Sequence, residues 1–411
     1  MPDLEALDAF AARVLRTGTA TGIAVAVTDR ERTLAARTYG DAAPDHLWPI
    51  ASIGKSFAAV VALQLVEEGL LDLDAPITEY VPWFSVHSRF GPITLHHLLS
   101  HTSGLVAASD RAPNSNYDVL ALADTETGFA PGEHSYYSNI GYRVVGAVLE
   151  TVTGEPYGEL VQRRVLDPLG MRSSAPTMVH DTRRLLPGGH VPYYDDRPWE
   201  REHGLAPAPW VESQEADGCQ CCTPEDLAIY LRALWAVTTT TNAYGLEVDD
   251  GGFGHDGDML GYVAHMWADT KAGLGAVAFA NGFRGARALG AGALAIAKGD
   301  EPQDPAPPAA PPALVDDGTC PPQWTAYPGR YRAHNPWLPT FLIAAQSGNL
   351  VMGTDWLDGS ERAPLTPIEP DRFRVGERDW SPERLHFDTI IDGRAQRAVH
   401  SGTPYYRAAG A

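Results

Sequence analysis

A chain of 411 residues exceeds one average domain and has ample material for a large core; its 44% hydrophobic and 20% charged residues are those of a soluble globular protein. The net charge of −21 argues against nucleic acid and anionic membrane surfaces as partners, and four cysteines are too few for a disulfide framework. No apolar run approaches the ~18–20 residues needed to cross a bilayer.

The opening Met1-Pro2-Asp3-Leu4-Glu5 is acidic and lacks the basic flank and apolar core of a secretory signal, so the sequence predicts a cytoplasmic protein. Asp3 to Thr17 then carries apolar residues at helical spacing (Leu4, Leu7, Phe10, Ala11, Val14, Leu15). Gly22–Val27 and Thr33–Tyr39 read as two strands joined by a turn at Asp29-Arg30-Glu31-Arg32. An apolar helix follows Ser52, and the region from about 72 to 235 reads as mostly helical with loops, with its clearest helices at Asn139–Val152, Glu155–Leu166 and Pro224–Trp235. Strands return at Tyr244–Val248, Gly261–Ala268 and Leu274–Asn281, before an Ala-rich helix over about 285–298. Strands at both ends with helices between them predict an α/β (α+β) domain over 1–299, its sheet assembled from the two ends around an inserted helical block. Residues 300–316 form a Pro/Ala-rich linker, stiff and extended. From 317 to 411, short alternating runs (331–334, 340–345, 350–352, 372–375, 385–388 and 398–401) with turns at Ser347-Gly348-Asn349 and Asp392-Gly393 predict a small antiparallel β-barrel or sandwich.

The chemistry begins at Ser52-Ile53-Gly54-Lys55. Lys55 is one of three lysines in a chain whose other 28 basic residues are arginine. On a helix, positions i and i+3 share a face, which sets the Lys55 amine beside the Ser52 hydroxyl. Serine needs a neighbouring base to act as a nucleophile, and an amine kept neutral by burial serves where a guanidinium does not. The blander reading is Ser52 as a helix N-cap. Tyr136-Tyr137-Ser138-Asn139 stands at the head of a helix: Tyr137 is placed to relay protons if a cation such as Lys55 holds its phenol near ionisation, and Asn139 to fix Lys55 and bind an amide carbonyl. His255-Asp256-Gly257-Asp258 lies between two strands, where Gly257 lets backbone amides approach a substrate.

Together, Ser-x-x-Lys near residue 50, Tyr-Ser-Asn 85 residues later and His-x-Gly 118 beyond that resemble the class C β-lactamase and penicillin-binding-protein family of serine hydrolases. Leu98-Leu99-Ser100-His101-Thr102-Ser103-Gly104-Leu105 and Pro168-Leu169-Gly170-Met171 look like recurring segments of that family. The resemblance implies Ser52 as the acylated nucleophile, Lys55 as its base, and Tyr137 as the group that passes a proton to the leaving group and later activates water. It implies Asn139 as a holder of the substrate amide, and an oxyanion hole from the backbone N–H groups of Ser52 and Asp258. No metal or organic cofactor is implied. The family's β-lactamases carry Lys-Thr-Gly where this chain has His255-Asp256-Gly257. A neutral imidazole beside two acids is a poor receptor for an anionic β-lactam, so the resemblance points to amidase, esterase, D-aminopeptidase and peptide-cyclising relatives. Residues 317–411, through Asn335-Pro336-Trp337-Leu338-Pro339, resemble the lipocalin-like domain attached to some of these enzymes.

The expected activity is hydrolysis of a small amide or ester through a Ser52 acyl-enzyme. One alternative is cyclisation of a nonribosomal peptide, with a carrier protein as partner; another is a catalytically silent binding protein. Cys219-Gln220-Cys221-Cys222 lacks the second pair a zinc site needs, and is expected to line the pocket rather than serve metal or redox chemistry. His96, His97 and His101 are read as structural, although helical spacing sets His97 and His101 on one face.

Overall fold

The computed structural model describes residues 2–108, 117–237, 243–306, 314–354 and 362–408. Residues 307–313 of the expected linker lie outside the described residues. The chain divides into two compact units: one of residues 1–72, 145–191 and 204–307, the other of 73–144, 192–203 and 308–411.

In the first unit, helix α1 (Leu4–Leu15) starts where the Asp3 side chain accepts hydrogen bonds from the backbone N–H of Glu5 and Ala6. Strands β1 (Gly22–Asp29) and β2 (Thr33–Gly40) follow as a hairpin, and α2 (Gly54–Glu67) carries the apolar run after Ser52. The chain returns to the sheet after α5 (Pro224–Val237), through β3 (Glu247–Val248), β4 (Gly252–Met259), β5 (Tyr262–Asp269) and β6 (Leu274–Ala280), and closes with α6 (Ala286–Lys298). The six strands form one sheet in the order β2-β1-β6-β5-β4-β3. N-terminal β1 pairs antiparallel with C-terminal β6, from Ile23 opposite Ala280 to Asp29 opposite Leu274.

Both faces of this sheet are covered, as the nearly uniform burial of β1 requires. Ile23, Val25 and Val27 pack with Leu7, Phe10 and Val14 of α1 and Leu289, Ala293 and Ile296 of α6 in one buried cluster. Thr28, of opposite parity, accepts from Arg232 of α5 at 2.7 Å. Phe57 of α2 stacks on Tyr230 of α5 at 3.8 Å. The expected strand 244–248 contracts to Glu247–Val248.

The second unit holds α3 (Leu95–Leu99), the first residues of α4 (Asn139–Thr153), and an eight-stranded closed barrel. Its strands are β7 (Gly329–Arg332), β8 (Thr340–Gln346), β9 (Asn349–Gly353), β10 (Arg362–Glu369), β11 (Arg372–Val375), β12 (Arg384–Ile391), β13 (Arg394–His400) and β14 (Thr403–Arg407). Each pairs with the next, and β7 pairs with β14 to close the ring. The two-residue turns Ser347-Gly348, Asp392-Gly393 and Ser401-Gly402 have both φ angles positive, the primed-turn geometry that matches strand twist. Tyr331, Phe341, Phe373, Leu385, Phe387 and Tyr405 fill the interior. Three of these strands escaped the sequence reading: β4 of the first unit, which contains the His255–Asp258 segment expected to lie between strands, and the barrel strands β10 and β14. β10 contains Pro364 and Pro367, with a register shift between Pro367 and Glu369, and β14 contains Pro404; proline in a run argues against a strand.

The span expected to be mostly helical holds α4 and α5 as expected, but is otherwise largely loops with short helices; α3 has five residues. It ends before His101, which takes a left-handed φ of 57°, so His97 and His101 do not share a helix face. His97 instead completes a capping box with Thr94 at the start of α3.

Candidate active site

Ser52 lies in a one-turn 3-10 helix, Ala51–Ile53, that leads directly into α2. It does not cap that helix: the N-cap of α2 is Ile53, with no side-chain cap. The turn is strained at Ala51, whose φ is 47°. Its surroundings hold it there. Ile50 N–H donates to the Gln220 carbonyl at 3.0 Å. Gly218 adopts a φ of 148°, and a Cβ on it would lie 2.2 Å from the Ala51 carbonyl oxygen. On the other side, a Cβ at Gly257 of β4 would lie 2.2 Å from the Ile50 carbonyl oxygen. Side chains at 218 or 257 would push the Ser52 turn away.

Lys55 is fully buried. Its Nζ donates to Ser52 Oγ at 2.9 Å and to the Asp217 carbonyl at 2.7 Å. The amine is thus aimed at the serine hydroxyl from below the turn. Ser56 anchors the same helix end, donating to the Ile53 carbonyl at 2.7 Å and meeting the Tyr230 hydroxyl at 2.9 Å.

Strand β4 brings His255, Gly257 and Asp258 into the same unit. His255 is buried, with Nδ1 against the Asp256 carbonyl. Burial holds its pKa below the ordinary imidazole value despite that carbonyl contact, so the ring is neutral at pH 7. Alternation along the strand sends Asp256 to the opposite face. There its carboxylate meets His265 Nδ1 at 2.6 Å and accepts from Arg287 Nε at 2.5 Å. Burial alone would raise the Asp256 pKa; His265 and Arg287 outweigh it and hold the group ionised. The expectation of an imidazole beside two acids is therefore corrected, because Asp256 is committed behind the strand. Asp258 shares that parity and reaches solvent. Partial desolvation, reinforced by the charge of Asp256, still pushes its pKa up to about 6.

The backbone of Asp258 is set by its place in the β4–β5 hairpin. Met259 opposite Tyr262 closes the β4–β5 hairpin through Leu260-Gly261, and Asp258 opposite Val263 is the next pair. In an antiparallel ladder such neighbours alternate, which leaves Asp258 in a non-hydrogen-bonded pair with its N–H directed away from β5. β3 covers β4 on that side at Phe253 and Gly254.

Tyr137 and Asn139 belong to the second unit. Tyr136 N–H donates to the His101 carbonyl at 2.8 Å, and Ser138 N–H donates to His101 Nδ1 at 3.0 Å. The His101 ring stacks on Tyr137 at 4.5 Å between centroids. Ser138 caps α4: its hydroxyl accepts from Gly141 N–H at 3.0 Å and donates to the Val106 carbonyl at 2.7 Å. Asn139 N–H donates to the Ala107 carbonyl at 2.7 Å. The two neighbouring tyrosines differ in kind. Tyr136 donates to Glu383 Oε1 at 3.1 Å, and burial together with that carboxylate drives its pKa far up. Tyr137 is 41% exposed. Of the pair, Tyr137 is the one open to a substrate.

The sequence reading missed the positioning by His101, whose signal was only its place in the Leu98–Leu105 segment, and the Asp217 carbonyl, which carries no side-chain signal. Cys221 and Cys222 are the central strand of a small sheet between Trp48-Pro49 and Ser174-Ala175, and both thiols, like Cys219, are buried with raised pKa values. Among the described residues no group of three or more His, Cys, Asp or Glu side chains could hold a metal ion, and no helix is long and apolar enough to cross a membrane.

Known proteins resemble this chain in sequence and fold. It is 35% identical over 175 residues to Esterase EstB of Burkholderia gladioli, covering 38% of this chain and 43% of that one. It is 28% identical over 199 residues to the D-alanyl-D-alanine-carboxypeptidase/endopeptidase AmpH of Escherichia coli, covering 44% and 51%. The chain thus spans about half the length of the curated relatives it matches. The octameric penicillin-binding protein homologue from Pyrococcus abyssi shares the fold with a TM-score of 0.64 at 20% identity, over 98% of this chain and 100% of that one. Residues 7–301 match the family described as Beta-lactamase, and with more than half of its length so matched the chain belongs to the β-lactamase family of serine hydrolases.

Proposed function

We propose that this protein hydrolyses small amides or esters through an acyl-enzyme at Ser52. The observation that carries the reading is the buried Lys55 amine 2.9 Å from the Ser52 hydroxyl. In the proposed cycle Ser52 Oγ attacks the substrate's acyl carbon while Lys55 takes the hydroxyl proton. The N–H groups of Ser52 and Asp258 hold the oxyanion, and Asn139 holds the substrate's amide carbonyl. Tyr137 passes a proton to the departing amine or alcohol, and the same groups then activate a water that releases the acid and restores Ser52. The relatives named as an esterase and a D-alanyl-D-alanine carboxypeptidase support this substrate class. The neutral His255 supports weak turnover of β-lactams, whose carboxylate finds no lysine on β4.

The same reading assigns residues 1–299 to the hydrolase and 317–411 to a lipocalin-like domain; the eight-stranded up-and-down barrel supports the second assignment. Its filled interior supports packing rather than a ligand cup.

The test is intact-protein mass over time after mixing with a D-aminoacyl ester, a penicillin and a peptide thioester in separate reactions. A transient adduct on Ser52 that clears fastest from the ester, and none in Ser52→Ala, is the expected result. Normal turnover by Ser52→Ala would overturn the reading. A cyclic product from the thioester in place of linear acid would move the acyl acceptor from water to an amine, the peptide-cyclase alternative with its carrier-protein partner.

A further inference from the structure

The barrel segment between β11 and β12 is wrapped by the strip of chain that carries Tyr137. Trp380 stacks on His134 at 4.3 Å with an interplanar angle of 11°, and meets Phe129 and Tyr136 edge-on at 5.1 and 6.2 Å. The backbones touch as well: a Cβ at Gly128 would lie 2.2 Å from the Trp380 carbonyl oxygen. Three residues further on, Glu383 is 8% exposed. Its Oε1 accepts from Ala107 N–H at 2.8 Å and from the Tyr136 hydroxyl at 3.1 Å, while Oε2 accepts from Ser401 and lies 3.6 Å from His400 Nε2. Arg372 and Arg384 of β11 and β12 both bind Glu126 on the same strip.

These contacts converge on one residue. Ala107 takes the Glu383 carboxylate on its N–H and gives its carbonyl to Asn139 N–H. Tyr136 is tied by its hydroxyl to Glu383 and by its N–H to His101. Tyr137 is thus fixed from both sides: by Tyr136 before it and, after it, by Ser138 and Asn139. A buried carboxylate with three donors is costly to bring out of water and is rigid once its partners are in place. Simple attachment of a barrel needs no carboxylate aimed at the residue next to the exposed tyrosine; apolar packing such as that of Trp380 suffices for attachment.

We propose that Glu383 is a positioning residue for Tyr137, so that the C-terminal barrel supplies part of the proton-transfer machinery rather than serving as an appendage. The proposal rests on the reading that Tyr137 delivers a proton to the leaving group of the Ser52 reaction. Misplacing such a donor penalises a poor leaving group far more than a good one, because only the poor one must be protonated as it departs.

The experiment compares an alkyl ester with the matching p-nitrophenyl ester for wild type, Glu383→Ala, Glu383→Gln, Tyr136→Phe and Ser52→Ala. In Glu383→Ala, kcat/KM, which reports acylation and leaving-group departure, is expected to fall about tenfold or more on the alkyl ester and about twofold or less on the p-nitrophenyl ester. Glu383→Gln keeps an oxygen for Ala107 and Tyr136 and is expected to restore most of the loss. Tyr136→Phe removes one hydroxyl without a buried charge, so it folds where Glu383→Ala fails to, and is expected to show the same leaving-group bias. Equal losses of kcat/KM on both esters, or unchanged kcat/KM in folded variants, would overturn the proposal. Turnover by Ser52→Ala would instead overturn the underlying reading, whatever Glu383 does.

Discussion

At the residue scale, charge and geometry around two side chains make separate predictions. Lys55 is placed to take a proton from Ser52, which a guanidinium cannot do. Lys55→Arg should therefore put a permanent cation where a proton acceptor is needed and lower kcat by roughly 10²–10⁴-fold, read from steady-state ester hydrolysis with circular dichroism as a check on folding. A near wild-type rate would remove Lys55 from the role of base. Asp258 predicts a pH effect. Its pKa is raised to about 6 in the folded chain, against roughly 3.9 in an unfolded one, so folding favours its protonated form. The corresponding stability is fully present below about pH 4 and is lost as pH rises through 6. Asp258→Asn should flatten that fall, leaving the variant the more stable relative to wild type at pH 7 than at pH 4 in thermal melts. Identical pH profiles for the two proteins would show that Asp258 is not perturbed. Both residues were legible in the sequence, because Ser-x-x-Lys and His-x-Gly are local spacings. The direction of Asp256 was not: strand parity decides it, and parity depends on which residue closes the β4–β5 hairpin.

At the element scale, the reactive turn is held by neighbours remote in sequence. Ala51 keeps its left-handed φ because Gly218 and Gly257 let two other segments come against its carbonyl and that of Ile50. Gly218→Ala places a Cβ where there is no room and asks for a φ that L-residues rarely adopt. It should cost about 1–3 kcal/mol in denaturant unfolding and lower kcat more than KM. Wild-type stability and rate in that variant would mean that the turn does not depend on this contact. Nothing in the string Asp217-Gly218-Cys219 announces such a role, since close approach is a tertiary property. Strands β10 and β14 were hidden for the converse reason. Their prolines argue against strands locally, but β10 tolerates them through a register shift and a closed barrel still gains from closure there.

At the scale of the whole molecule, residues 73–144 and the barrel form one compact unit, joined by Glu383, Trp380 and the Glu126 ion pairs. Damage to the barrel core should accordingly reach the Tyr137 strip. Phe341 is fully buried in that core, and Phe341→Ala should cost about 3–5 kcal/mol. Heat inactivation should then shift down together with the barrel's melting transition, followed by near-ultraviolet circular dichroism. Inactivation that stays at the wild-type temperature while the barrel melts early would uncouple them.

The sequence by itself determined the longer helices and most strands, the β-sheet built from both chain ends and a small antiparallel β domain, and it pointed to the candidate residues Ser52, Lys55, Tyr137, Asn139, His255, Gly257 and Asp258, because hydrophobic period, turn chemistry and motif spacing are local properties. Only the tertiary structure decided that Lys55 is buried between Ser52 and the Asp217 carbonyl, that Asp256 faces away, that Cys221 and Cys222 form a buried strand, and that Glu383 reaches Tyr136 across 247 residues. Those depend on which distant segments exclude water from one another, and no local pattern encodes that choice.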